Sequence, residues 1–308
     1  MTIRIFIKIL SLPLLCLAMA GCTPPAVSCP PAEGVALQVL GSGGPIADDD
    51  RASSGYIVWV DGESRILIDA GGGTFLRFGE AGATFAALDF IGLSHFHTDH
   101  SADFPALIKS GNFSDRERSL SIAGPDGEGA FPGLKDFLQS MLGEDHGAYA
   151  YLSAFLDGTS STPMLTPREI PRGETMIVYT SEDLNIDAMR VPHGIVPAAA
   201  FRVRTAEQTF VFATDQNGAD PAFVEFAKDA DVLVMHMVVP QNVKGVGRRL
   251  HAPPSVIGEI AADAAPGKLV LSHFMARSLA DLEQNVSLVR ERYTGDVVLA
   301  EDLACVLP

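Results

Sequence analysis

The sequence predicts one α/β domain: a four-layer αββα sandwich, two sheets face to face with helices outside both, carrying a helical cap insertion. Two patterns lead to it. Near the start, short apolar segments follow one another in meander order, and in the second half such segments alternate with helical ones. The cap is read from residues 101–171, where helical pieces alternate with Gly-rich links. With 47% apolar and 19% charged residues, the 308-residue chain has a globular composition, and its 29 Gly and 20 Pro imply many turns between short elements.

In chain order, Val35–Leu40, Tyr56–Val60 and Arg65–Asp69 read as strands, bounded by a Gly/Asp-rich loop and an Asp61-Gly62 turn. Gly71-Gly72-Gly73-Thr74 leads into a helix ending near Ala83, and Phe90–Ser94 is a buried strand. Helical pieces within the cap are Pro105–Ser110, Leu134–Leu142 and His146–Leu156. Strands resume at Thr175–Tyr179, Asn185–Val191, Ala199–Arg204 and Thr209–Thr214. Helices Pro221–Lys228, Pro254–Ala262 and Leu279–Arg290 then alternate with strands Val232–Met237, Leu269–Ser272 and Val297–Ala300.

Residues 1–21 read as a signal peptide. Arg4 and Lys8 form its basic start, and Ile9–Ala20 is apolar but short for a bilayer span. Leu17-Ala18-Met19-Ala20-Gly21-Cys22 resembles a bacterial lipobox, which implies cleavage before Cys22 and lipid attachment to its sulfur; plain secretion with a free Cys22 is the alternative. Thr23 stands where an inner-membrane retention signal has Asp, so the expected location is the bacterial cell envelope, lipid-anchored at the outer membrane and facing the periplasm. Pro24, Pro25, Pro30 and Pro31 stiffen a tether over residues 22–34, and the domain proper spans 35–308. Cys29 and Cys305 then remain, either as a disulfide or as two thiols.

Loss of Arg4 and Lys8 takes the net charge from −16 to −18. Polyanion binding needs Lys and Arg to release counterions, so long nucleic acids are disfavoured as substrates and no nucleic-acid partner is expected, although the charge leaves a local basic pocket open.

Four potential metal donors, His95, His97, Asp99 and His100, lie within six residues directly after an apolar strand. Two histidines at i and i+2 on a strand end point the same way and can reach one ion, while Asp99 and His100 can reach a second. Imidazole and carboxylate suit Zn²⁺, with Fe or Mn as alternatives.

His95-Phe96-His97-Thr98-Asp99-His100 resembles the His-x-His-x-Asp-His signature of the metallo-β-lactamase superfamily. Ile68-Asp69-Ala70-Gly71, Val191-Pro192-His193-Gly194, Phe212-Ala213-Thr214-Asp215 and Leu271-Ser272-His273-Phe274 resemble its other motifs, in order. The resemblance implies that His95, His97 and His193 hold one divalent ion, that Asp99, His100 and His273 hold the second, and that Asp215 bridges them. Asp69 is implied to buttress the histidine loop. Two ions sharing a water lower its pKa toward neutrality and supply hydroxide as nucleophile, which Asp99 can orient.

Within that superfamily the chain resembles the ribonuclease Z and phosphodiesterase/arylsulfatase branch. Leu40-Gly41-Ser42-Gly43-Gly44-Pro45, Ser101-Ala102-Asp103-Phe104-Pro105, Ala123-Gly124-Pro125 and Pro197–Arg202 resemble its segments. His251, 22 residues before His273, stands where that branch has a histidine that protonates the leaving oxygen, although Ala252-Pro253 replaces the hydroxyl residues that usually follow; a role in opening the next helix is the other reading. His236 stands where the branch has His-Glu, with Met237 in place of the carboxylate, and reads either as support for the metal site or as a core histidine. His146, beside Asp145 in the cap, matches no motif.

The expected activity is therefore hydrolysis of a small phosphodiester or sulfate ester. A lactonase or β-lactamase-type hydrolase is the alternative, and a non-catalytic lipid-anchored binding protein a third reading. Ribonuclease Z activity is not expected, because only 21 residues separate His193 from Asp215, too few for that enzyme's RNA-gripping arm. Lys244, Arg248 and Arg249 near His251 read either as an anion-binding cluster or as a solvated loop.

Overall fold

A computed structural model describes residues 29–159 and 163–308. The expected signal peptide and Cys22 lie outside the described residues. The first half of the chain forms β1 (Val35–Gly41), β2 (Gly55–Val60), β3 (Glu63–Ile68), α1 (Thr74–Glu80), β4 (Phe90–Gly92), α2 (Thr98–Ser101), α3 (Phe104–Gly111), β5 (Leu120–Pro125), α4 (Leu134–Leu142), α5 (Ala154–Asp157) and β6 (Leu165–Ile170). The second half forms β7 (Met176–Thr180), β8 (Asn185–His193), β9 (Val196–Arg204), β10 (Thr209–Phe212), α6 (Ala222–Ala227), β11 (Val232–His236), α7 (Val246–Leu250), α8 (Pro254–Ala264), β12 (Lys268–Ser272), α9 (Ala276–Leu279), α10 (Leu282–Arg290), β13 (Asp296–Leu299) and β14 (Cys305–Val306).

These make two seven-stranded sheets, ordered β14-β1-β2-β3-β4-β5-β6 and β13-β12-β11-β10-β9-β8-β7. The period-two alternation of strand side chains sorts the apolar residues into layers. Val58, Ile66, Ile68 and Phe90 share one core with Ala188, Phe201 and Phe212 of the other sheet. Their neighbours Ile57, Leu67 and Ile91 enter a separate core with Phe78, Phe104, Leu107 and Leu138 of the helices. The four-layer sandwich expected from the sequence is the observed architecture.

Residues 101–171 differ from a purely helical cap. They hold α3, α4 and α5, but they also contribute β5 and β6 to the first sheet in parallel register, Ile122 opposite Pro167. β6 escapes a sequence reading because Pro167 interrupts it. The proline is tolerated because β6 is the edge strand, where one row of N–H groups has no ladder to join. His146–Leu156 is not one helix; it breaks into a single turn at Ala150–Leu152 followed by α5. Cys29 and Cys305 are joined as a disulfide with 5.6 Å between their Cα atoms, beside the two-residue strand β14 on β1.

Strands β8, β10, β11 and β12 run parallel to one another, as do β3, β4 and β5. Their carboxyl ends carry Asp69, His95, His193, Asp215, His236 and His273, so the topology collects these residues along one rim between the sheets.

Candidate metal centre

At this rim the backbone leaves its ordinary conformations. Asp69, Thr214 and His273 all have positive φ, 60°, 55° and 56°, where non-glycine residues pay a steric cost of about 1 kcal/mol or more each. Each lies at or beside a strand end that aims a polar group into the site. Two glycines are needed for clearance: a Cβ on Gly71 would stand 2.1 Å from the Asp99 carbonyl oxygen, and one on Gly44 2.9 Å from the His273 ring.

Asp69, fully buried, builds the first histidine loop. Its Oδ1 accepts the Ser94 N–H at 2.7 Å, while its Oδ2 accepts the Ser94 hydroxyl at 2.9 Å and lies 2.7 Å from His100 Nδ1. A carboxylate only accepts, so Nδ1 carries a proton toward Asp69 and Nε2 is the ring nitrogen left to face an ion. The same logic applies to His193, whose Nδ1 donates to the Leu250 carbonyl at 2.9 Å while its buried Nε2 has no hydrogen-bond partner among the described residues.

The lone pairs converge. His95 Nε2 lies 2.9 Å from His97 Nδ1, and donors of His95, His97 and His193 form one group within 4.8 Å. Asp99, His100 and His273 form a second such group, with His273 Nε2 3.0 Å from His100 Nε2 and 3.2 Å from Asp99 Oδ2. Asp215 lies between them, its Oδ2 3.6 Å from His193 Nε2 and 3.7 Å from His100 Nε2, its Oδ1 3.6 Å from His273 Nε2. Ligands of one tetrahedral zinc stand roughly 3.3 Å apart, given metal–donor lengths of about 2.0–2.1 Å. The donor set and its spacing fit two divalent ions, of which zinc is the typical occupant of such a set.

Charge within the site is polarised. Burial favours the neutral form of Asp99, yet the charges of His100 and His273 outweigh it and hold the carboxyl at about 2. Burial likewise opposes ionisation of Asp215, and His273 and His251 overcome it, keeping this carboxyl well below the usual range. Burial lowers His95, His97 and His193. His100 goes the other way, since Asp69 and Asp99 outweigh its burial and raise it well above an ordinary histidine.

His236 belongs to the site rather than to the general core: its Nδ1 lies 2.8 Å from Asp215 Oδ1. His251, between α7 and α8, lines a cavity of about 500 Å³ over the two donor groups, with its Nδ1 3.8 Å from Asp215 Oδ2. Burial lowers His251 to about 3. Arg277 lines the same cavity, and the sequence reading missed it. Its one signal was a position four residues after His273, where α9 turns the chain back toward the strand end. Lys244, Arg248 and Arg249 do not line the cavity; Arg248 donates to the Asn217 carbonyl at 2.9 Å, and the other two are exposed. His146 lies apart from the site, among Glu144, Asp145 and Asp157 at the surface.

An αββα sandwich with two histidine–aspartate groups between its strand ends defines a class of metal-dependent hydrolases. The beta-lactamase superfamily domain matches residues 64–274, and the chain belongs to that superfamily. It is 26% identical to a protein of Haloferax volcanii named ribonuclease Z, over 85% of this chain and 92% of that one. A ribonuclease Z of Mycobacterium marinum is 29% identical over 87% and 97% of the two chains. Among solved structures, human tRNase Z, short form, superposes with a TM-score of 0.68 at 20% identity, covering 88% of this chain and 98% of that one. The metallo-β-lactamase fold protein YhfI from Bacillus subtilis gives 0.67 at 20% identity, over 88% and 98%.

These relatives overturn the expectation of a small ester and no nucleic acid. That expectation rested on net charge, which averages the whole surface, and on the short His193–Asp215 link. The link is indeed only β9, β10 and tight turns. It leaves no room for a long arm at that point, but neither it nor the net charge bears on the local chemistry of the donor groups.

Proposed function

We propose that this chain is a metal-dependent phosphodiesterase that hydrolyses RNA. The observation that carries the reading is the convergence of the two donor groups on Asp215, in a chain whose full-length relatives are named ribonuclease Z. His95, His97 and His193 would hold one divalent ion and Asp99, His100 and His273 the other, with Asp215 placed to serve both. Such ions would supply a water of lowered pKa and offset charge on the phosphoryl oxygens. Asp99, anionic at neutral pH, accepts a hydrogen bond from the attacking water and orients it. Arg277, anchored by Nε on the Val238 carbonyl at 3.1 Å, presents the rest of its guanidinium to the phosphate. His251 faces the leaving oxygen. To donate a proton there it must be protonated in the complex, which the negative charge of a bound phosphodiester favours.

The test is cleavage of end-labelled RNA, single-stranded and hairpin with a 3′ extension, beside matched DNA. RNA cleavage that chelation abolishes and zinc or manganese restores is expected. Intact RNA under conditions that hydrolyse nitrophenyl esters sinks the proposal.

For location, we read residues 1–21 as a lipoprotein signal peptide, Cys22 as the lipidated residue and 22–34 as the tether, which puts the 35–308 domain in the bacterial cell envelope. The Cys29–Cys305 disulfide supports this, since such bonds persist in oxidising compartments. Labelled palmitate should enter the wild-type chain in a bacterial host and not C22A; equal labelling removes the anchor from the reading.

A further inference from the structure

We infer that Tyr56 is a positioning residue for the shared carboxylate, acting on Asp215 through His236. The inference rests on the metal-centre reading above.

Tyr56 belongs to β2 of the first sheet, yet its fully buried ring crosses the core to pack on Phe212 of β10, with centroids 5.6 Å apart. Its hydroxyl ends between two strand termini of the second sheet. It lies 3.1 Å from His236 Nε2 and 2.9 Å from Ser272 Oγ. His236 in turn places Nδ1 2.8 Å from Asp215 Oδ1.

Proton counting gives this chain a direction. Asp215 is a carboxylate and can only accept, so His236 Nδ1 carries the proton. A neutral imidazole has one N–H, so Nε2 is a bare lone pair and must accept from the Tyr56 hydroxyl. The single phenolic proton is then used, and Ser272 Oγ–H donates to the phenol oxygen. The carboxylate thus fixes the tautomer, and the Tyr56 hydroxyl caps the buried Nε2 lone pair that this tautomer leaves and sets the orientation of the ring. Held so, Nδ1–H keeps Oδ1 in place and leaves Oδ2 toward His193 and His100. Groups that orient ligands in this way typically change metal affinity by about 10- to 100-fold when removed.

The test is Tyr56→Phe, which keeps the ring and its packing. Zinc titration of chelator-stripped protein against a chromophoric competitor should show one of the two binding steps weakened by about 10- to 100-fold. Circular dichroism of the metal-free variant should match wild type. Because Tyr56 acts through His236, adding Y56F to His236→Ala should cause no further loss. Ser272→Ala should weaken binding in the same direction but less, and it serves if Y56F fails to fold. Wild-type affinity in both Y56F and S272A, or additive losses in the Y56F/H236A double variant, overturns the inference alone. A wild-type chain that takes up no divalent ion overturns the proposed function, and this inference with it.

Discussion

At the scale of single residues, protonation governs the site, and two predictions follow from its direction. Burial lowers His236 to about 4 and His251 to about 3, and lowers His95, His97 and His193 as well. A group whose folded pKa is depressed adds stability above its unfolded value, near 6.5 for histidine, and loses it as pH falls. Only His100 among the site histidines is raised, so its contribution is present below pH ~6.5 and lost as pH rises through its folded value. Below pH ~6.5 the His100 contribution is already complete, so the depressed histidines set the sign. The melting temperature of chelator-stripped protein should fall between pH 7 and pH 4.5, and a flat or rising curve would show that the metal-free site is not packed as described. The second prediction concerns His251. A leaving-group acid matters most for a poor leaving group, so His251→Ala should slow RNA cleavage by about 10²–10³-fold while leaving a nitrophenyl phosphodiester nearly unaffected. Equal losses on both would reassign His251 to binding, and metal content measured alongside should stay at the wild-type level.

At the scale of elements, the site depends on two strand-end loops touching through backbone. Ala70 N–H donates to the His100 carbonyl at 2.8 Å, and Gly71 passes the Asp99 carbonyl with no room for a methyl group. Gly71→Ala should cost at least about 1–3 kcal/mol and lower metal content, because neither partner is a flexible side chain that could yield. Gly72→Ala is the control, since its Cβ would meet only Ser53 Oγ at 3.9 Å. If both variants melt and bind zinc like wild type, the loop contact is looser than described. This contact also shows what the sequence could disclose. Strand ends followed by His or Asp were legible because β4, β10 and β12 are short apolar runs ending at a polar residue, and alternation or burial leaves them no other state. α7 and β5–β6 were not legible as elements. α7 buries no side chain, so it has no apolar stripe to read, and β6 alternates weakly around Pro167. Arg277 was missed for a related reason: its role comes from α9 folding back over the site, which no local pattern announces.

At the scale of the whole molecule, the ends of the chain brace the site. The disulfide spans 276 residues of sequence, while β14 holds β1 through only two residue pairs. Between them, Asp302 accepts the backbone N–H groups of Ser42 and Ala52 at 3.0 and 2.8 Å, and the Ser42 carbonyl accepts the Phe274 N–H at 2.8 Å, next to His273. The C-terminal segment is thus tied to the Gly-rich loop that clears the His273 ring. Closing so long a loop removes much of the freedom of the unfolded chain, worth roughly 5 kcal/mol in the chain-entropy account. For a domain of this size that corresponds to roughly 10 °C or more in melting temperature. The double variant Cys29→Ser/Cys305→Ser should therefore melt lower by about that amount, and reductant should lower the wild type but not the variant. Zinc content should hold at temperatures where both remain folded, because the Asp302 contacts do not pass through the sulfurs. A variant that melts with wild type would show that the two ends are held without the bond. One that stays folded but loses zinc would show that the staple, rather than Asp302, keeps the Gly-rich loop against His273.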